Sequence, residues 1–287
     1  MTNKNKTFDC IVFGEIIYDI YNNITQLGGA PLNYSWYLSQ FGVKALLISS
    51  VGQDLLGEKA LEQLNSTKLI SPAITMRDSK TGTAEIIGTT KDPDFNISKD
   101  VAWDKINLPL NIEKYKTQAI YFGTLSQRTK YNQNTLEELL GSKPNTYKMF
   151  DLNLRKNYYN KRIIEYSLNQ ATFVKMNQNE FELIRKLFNI SSPDELLHIY
   201  HLDTILITNG RKKVNLINRK TALTIAPPKS NAIDTIGAGD AFFATFTAGL
   251  LKNLELEYIL SKSCEIASYV TEHKGAILDL PESLRIL

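Results

Sequence analysis

Cysteine is scarce, with Cys10 and Cys264 the only two among 287 residues. Each stands inside an apolar segment, so no disulfide framework is available and buried free thiols in a reducing compartment are expected. Histidine is rare too, at three residues, and only His198 and His201 stand near one another in sequence. With no third ligand nearby they read as part of a surface helix and not as a metal site. No basic block occurs: 33 Lys and Arg and 30 Asp and Glu are spread along the chain for a net charge of +3. Neither nucleic acid nor an anionic membrane is therefore implied as a partner. Any phosphate must be recognised by a local site and not by the global field. No uninterrupted apolar run approaches the roughly 18 residues that span a bilayer. Met1–Thr7 is polar and leads into Phe8–Phe13 without the long apolar stretch of a secretory signal. A cytoplasmic protein is expected.

What is present is an ordinary globular composition, 43% hydrophobic and 22% charged, on a chain long enough to bury a sizeable core. Strand and helix patterns alternate. Phe8–Gly14, Ala45–Val51, Ala119–Phe122, Met149–Leu152, Thr172–Met176 and Thr204–Thr208 read as buried strands. Helical spacing recurs over Pro31–Phe41, Leu55–Leu64, Tyr131–Leu140, Asn160–Leu168 and Asn179–Phe188. After Asn209-Gly210 a hairpin through Val214–Ile217 and Ala222–Ile225 is expected, then helices over Ala238–Leu251 and Leu256–Glu272. Such alternation predicts a mostly parallel sheet with helices on both faces. Two segments interrupt it, near 15–27 and 83–102. The second is β-branched, turn-rich and contains Lys91-Asp92-Pro93-Asp94, so the two could form a small β-subdomain over one end of the sheet.

The most informative stretch is residues 231–246, in which Gly237-Ala238-Gly239-Asp240 precedes a strong helical pattern. Glycines feeding a helix N-terminus leave free N–H groups and the positive end of the helix dipole at one point, an arrangement that binds phosphate. Three readings compete. The glycines could be a flexible lead-in with Asp240 favouring the dipole. They could belong to a dinucleotide fingerprint, but Phe242 stands at the third glycine position and the motif lies far from the first strand. Or they form an anion hole with a carboxylate inside it. A carboxylate aimed at a phosphate pocket repels the phosphate unless it serves chemistry, and as a base accepting a hydroxyl proton during phosphoryl transfer Asp240 makes sense. No Gly-x4-Gly-Lys-[Ser/Thr] loop and no protein-kinase His-Arg-Asp or Asp-Phe-Gly set is present.

Asp234-Thr-Ile-Gly-Ala-Gly-Asp240 resembles the C-terminal signature of ribokinase-type (PfkB) carbohydrate kinases, and Gly28-Gly-Ala-Pro-Leu-Asn33 resembles their N-terminal one. Gly14-Glu15 through Asp19, Phe150–Arg155, Lys175–Glu180 and Thr208-Asn-Gly210 agree in order, so the resemblance spans Phe8 to Pro281. It leans to the fructokinase branch through Gly28–Asn33, Ala102-Trp-Asp104, Phe122–Arg128 and the Asp151, Asn153, Arg155 block.

The resemblance implies a three-layer ribokinase-like α/β fold, one kinase domain over 1–287, with 15–27 and 83–102 forming a β-lid. It implies an ATP-dependent sugar kinase, with D-fructose to fructose 6-phosphate as the reaction. Another acceptor (ribose, a ketogluconate-type acid, a nucleoside) and a catalytically weak sugar-binding regulatory protein are the alternatives. Asp240 would be the base, with Gly237, Ala238 and Gly239 forming the anion hole. Asp19, Gly28, Gly29 and Asn33 would bind the sugar. Asn153, Arg155, Asn177, Glu180, Thr208 and Gly210 would serve ATP and its phosphates, Glu180 reaching Mg²⁺ through water. Lys213 replaces a second glycine of the nucleotide-binding turn. Asp234, near Gly275-Ala276, would form either a K⁺ loop or simple loop packing. An uncovered lid edge could take a second chain, giving a homodimer.

Overall fold

The structure is a computed structural model that describes residues 6–21, 24–66, 73–89, 92–155 and 158–287. Residues 1–5, 22–23 of the first inserted segment and Lys91 of the expected turn lie outside the described residues.

Strand β1 (Cys10–Phe13) leads to a hairpin, β2 (Ile17–Tyr21) and β3 (Ile24–Gly28), then to α1 (Ala30–Gln40), β4 (Ala45–Gly52) and α2 (Leu55–Asn65). Next come β5 (Ile74–Arg77) and an antiparallel pair, β6 (Gly82–Thr89) and β7 (Asp92–Ile97). Alternation resumes with β8 (Ala119–Gly123), α3 (Lys130–Gly141), β9 (Tyr147–Asp151), α4 (Lys161–Gln170) and β10 (Phe173–Asn177). Then follow α5 (Gln178–Phe188), α6 (Pro193–Ile199), β11 (Thr204–Asn209), β12 (Lys213–Asn218), β13 (Ala222–Ile225), α7 (Ala238–Leu251) and α8 (Leu256–Thr271).

Nine strands form the main sheet in the order β13-β12-β11-β10-β9-β8-β1-β4-β5. Pairing is parallel from β11 to β5 and antiparallel across β11-β12-β13. Every residue of β1, β4 and β8 is buried, as a parallel sheet covered on both faces requires. Successive side chains alternate between the two cores: Ile11 and Phe13 join Phe122 and Phe150, whereas Cys10 and Val12 join Tyr37, Phe243 and Ile259. Helices on both faces complete the expected three layers. Cys10 and Cys264 are free and buried, His198 is exposed on α6, and among the described residues no helix is long and apolar enough to cross a membrane.

The inserted segments build a second sheet of four strands, β3-β2-β6-β7. The period of two puts Ile17 and Asp19 on one face, and the register sets Asp19 beside Ala84 and Ala84 beside Ile97. The second segment is strand only as far as Ile97. Ala102–Asp104 turns into a 3₁₀ helix, in which the Asp104 carboxylate accepts from Val101 N and from Arg128. Two elements escaped the pattern reading. β5 is four residues of mixed character at the sheet edge. α6 is only seven residues long, but it carries readable start signals, Pro193 at its first turn and Ser192 accepting from Glu195 N.

Candidate active site

The loop before α7 is closed by Asp234, whose carboxylate accepts from Ile236 N and from Gly275 N, both at 3.0 Å. This staple delivers Gly237 with φ +79, and a Cβ there would lie 2.7 Å from Ala276 Cα and 2.8 Å from its carbonyl oxygen. Only glycine fits this turn. α7 then starts without a side-chain cap, and among the described residues the N–H groups of Gly239 and Asp240 meet no carbonyl. They remain open, as the first donors of a helix do.

Asp240 is buried on that first turn, and Asn33 Nδ2 donates to its Oδ2 at 2.8 Å. Asn33 is held by the first turn of α1, where its own N–H donates to Gly29 O. From below, Lys175 on β10 reaches the same place: a Cβ at Gly239 would lie 2.9 Å from Lys175 Nζ. That ammonium also donates to both oxygens of the fully buried Asp151, at 3.0 and 3.2 Å. Burial works against the Lys175 charge, but Asp151, Asp240 and Glu180 outweigh it and hold its pKa above the usual lysine value.

Burial also pushes Asp240 up to about 6, against the opposing pull of Lys175 and with Asp151 adding to the rise. The helix N-terminus favours the ionised form. Loss of water outweighs it, leaving a group still largely ionised at neutral pH yet close to its protonation point.

A cavity of about 350 Å³ opens over this turn. Of the residues singled out by sequence, Asp19, Gly29, Asn33, Asn153, Arg155, Asn177, Thr208, Gly237, Gly239 and Asp240 line it. Phe95 and Ile97 from the four-stranded sheet close one wall. A second cavity of about 370 Å³ shares Asn177, Thr208, Thr235 and Gly239 with the first and runs on past Gly210 and Ala238 to an apolar slot of Val214, Pro227, Pro228 and Phe242. The two cavities therefore meet at the start of α7.

Three expected residues stand back from both walls. Gly28 backs Asp19, whose Oδ2 would lie 2.6 Å from a Cβ at that position. Asp234 acts through the loop it staples. Glu180 is buried with both oxygens engaged, Oε1 accepting from Leu154 N and Oε2 from Asn177 N, each at 2.7 Å. It forms a capping box with Asn177, whose Oδ1 accepts from Glu180 N. Asn153 holds φ +35 just past β9, a backbone that asparagine tolerates better than most residues. Arg155 stacks its guanidinium 4.9 Å from the Phe95 ring centre, on the side of the smaller sheet.

Glu15, Lys175, Asp151 and Thr235 escaped the sequence reading of the site. Lys175 had a signal: it is the lone cation in the buried strand Phe173-Val-Lys-Met-Asn177, and a buried lysine demands a partner. Among the described residues no cluster of three or more His, Cys, Asp or Glu is suited to hold a metal ion.

Residues 10–283 match the family model described as pfkB family carbohydrate kinase. An uncharacterized sugar kinase of Pyrococcus horikoshii is 28% identical over 264 residues, covering 87% of this chain and 82% of its own length. Its structure in complex with ATP superposes with a TM-score of 0.79 at 25% identity, over 93% of each chain. An ATP-dependent 6-phosphofructokinase of Thermoanaerobacterium thermosaccharolyticum is 21% identical, over 97% of this chain and 92% of its own. A fructokinase of Xylella fastidiosa, solved with bound ATP, has the same fold at a TM-score of 0.83 and 16% identity, over 98% and 97% of the two chains.

Proposed function

Because this chain belongs to the pfkB family of carbohydrate kinases, we propose that it transfers the γ-phosphoryl group of ATP to a sugar hydroxyl, converting D-fructose to fructose 6-phosphate. The observation that carries this reading is the placement of Asp240. A buried carboxylate and two open backbone N–H groups share the first turn of α7, where two cavities meet.

In this reading the nucleotide base and ribose occupy the apolar slot beyond Thr208 and Gly210, and the phosphates point at the turn from Gly237 to Asp240. The sugar sits under the smaller sheet against Asp19, Gly29 and Asn33, with Gly28 setting Asp19. Asp240 takes the proton from the attacking hydroxyl as the oxygen–phosphorus bond forms and the bond to the ADP leaving group breaks. The turn's N–H groups and the Lys175 ammonium face the charge that gathers on the transferring group. Mg²⁺ would accompany ATP and neutralise its phosphates. With both Glu180 oxygens already accepting from N–H groups, the residues fit a hydrated ion reached through water. Asp234 and its loop to Gly275 are the candidate for K⁺. Residues 1–287 would work as one kinase domain, its smaller sheet acting as a lid and as the contact for a homodimer. Fructose is favoured by the blocks Gly28–Asn33 and Phe122–Arg128.

A coupled ADP-release assay over a panel of sugars tests the reading. Fructose is expected to show clearly higher kcat/KM than ribose or adenosine, since a lost hydroxyl contact in a polar site can cost up to about 10⁴-fold. A different best acceptor would overturn the fructose assignment, and sugar binding without any ADP release would make the chain a regulatory protein.

A further inference from the structure

Glu15 follows β1, is 4% exposed and lines the cavity that holds Asp19, Asn33 and Asp240. Among the described residues, the donor its carboxyl meets is its own backbone N–H, with the Arg155 and Arg128 charges further off. Asp19, on β2, has Arg155 as its favourable charge among the described residues. Buried carboxyls with so few protein donors are costly unless something else supplies more. A ligand rich in hydroxyl groups fits, since each hydroxyl donates one hydrogen bond to a carboxylate.

We propose that Glu15 binds acceptor hydroxyls beside Asp19, and that this pair makes the site select neutral polyhydroxy acceptors over phosphorylated or acidic sugars. The inference rests on the reading of this cavity as the acceptor site. Charge supports its second half. Glu15, Asp19 and Asp240 put three carboxyl residues on the cavity wall, against two cations among its lining residues, Arg155 and a Lys175 that is already ion-paired with Asp151. Burial raises both Glu15 and Asp19 to about 7, against the pull of Arg155. An acceptor carrying its own phosphate or carboxylate would add like charge to this set, which costs affinity.

The test compares the wild-type protein with Glu15→Gln on fructose and other neutral sugars, fructose 6-phosphate and 2-ketogluconate, reading ADP release and calorimetric binding. The wild type is expected to use its best neutral sugar at least about tenfold better than either anion. In Glu15→Gln the KM for that sugar is expected to rise about 10- to 100-fold, the worth of a hydrogen bond to a charged group, with the KM for ATP unchanged and the neutral-over-anionic preference narrowed. An unchanged sugar KM, or a wild type that prefers an anionic acceptor, would overturn the proposal while leaving the kinase reading intact. If no sugar is bound or turned over, both fall. Should Glu15→Gln fail to fold, Glu15→Asp reads the same contact: a raised sugar KM with the preference kept supports it, and an unchanged KM overturns it.

Discussion

Asp240 is set between groups that pull its proton affinity in opposite directions. Burial raises it, with Asp151 adding to the rise, while Lys175, the hydrogen bond from Asn33 and Arg155 lower it. In its proposed role as base, a carboxyl near 6 is ionised at neutral pH and still basic enough to take a hydroxyl proton. The acid limb of kcat/KM is therefore expected near pH 6, titrating as a set with Glu15 and Asp19, which carry like charge into the same cavity. Asn33→Leu removes a bond that lowers the Asp240 pKa. Its limb is expected to move to higher pH by about half a unit or more, since a net hydrogen bond is worth about 1 kcal/mol. A pH–rate profile whose acid limb stays in place in Asn33→Leu would show that this contact does not tune the base.

Among the elements, the four-stranded sheet carries a cost of its own. β3 and β7 are its edges, and Ile24 on β3 and Ile87 on β6 are exposed. Unpaired strand edges with apolar neighbours invite a partner strand. Light scattering at micromolar concentration is expected to give the mass of two chains, and a monomer alone would remove the dimer. Legibility followed the same physics at this scale. β1 and β8 were plain in the sequence because their residues are apolar without interruption, α7 because its long apolar pattern is broken only by Asp240, Thr245 and Thr247, and the α7 turn because glycine at φ +79 has no substitute. The two inserted segments were recognisable by their broken alternation. β5 and α6 were not, being too short to show a period. The ion pair of Asp151 with Lys175 was hidden because it joins neighbouring strands β9 and β10, 24 residues apart in the chain. Glu15 was hidden because only the fold brings it to the wall of the cavity that Asp19 and Asp240 line.

Across the whole molecule the site is a store of unfavourable burial. Glu15 and Asp19 at about 7 and Asp240 at about 6 hold protons more tightly when folded than their ordinary carboxyl values allow in the unfolded chain. Between about pH 4 and pH 7 the folded protein thus binds more protons than the unfolded one, and stability falls as pH rises through that window. The Tm of the sugar-free protein is expected to drop from pH 5 to pH 7.5, and Glu15→Gln is expected to flatten the drop. A Tm that instead climbs over this range would mean that these carboxyls are not raised.

The most direct test of the account is Asp240→Asn, which keeps the size of the side chain and removes the base. Steady-state turnover alongside calorimetry on the folded variant is expected to show kcat lowered by about 10²- to 10⁴-fold, with ATP and sugar still bound, because neither needs the proton transfer. A kcat near that of the wild type would contradict the assignment of Asp240 as the base.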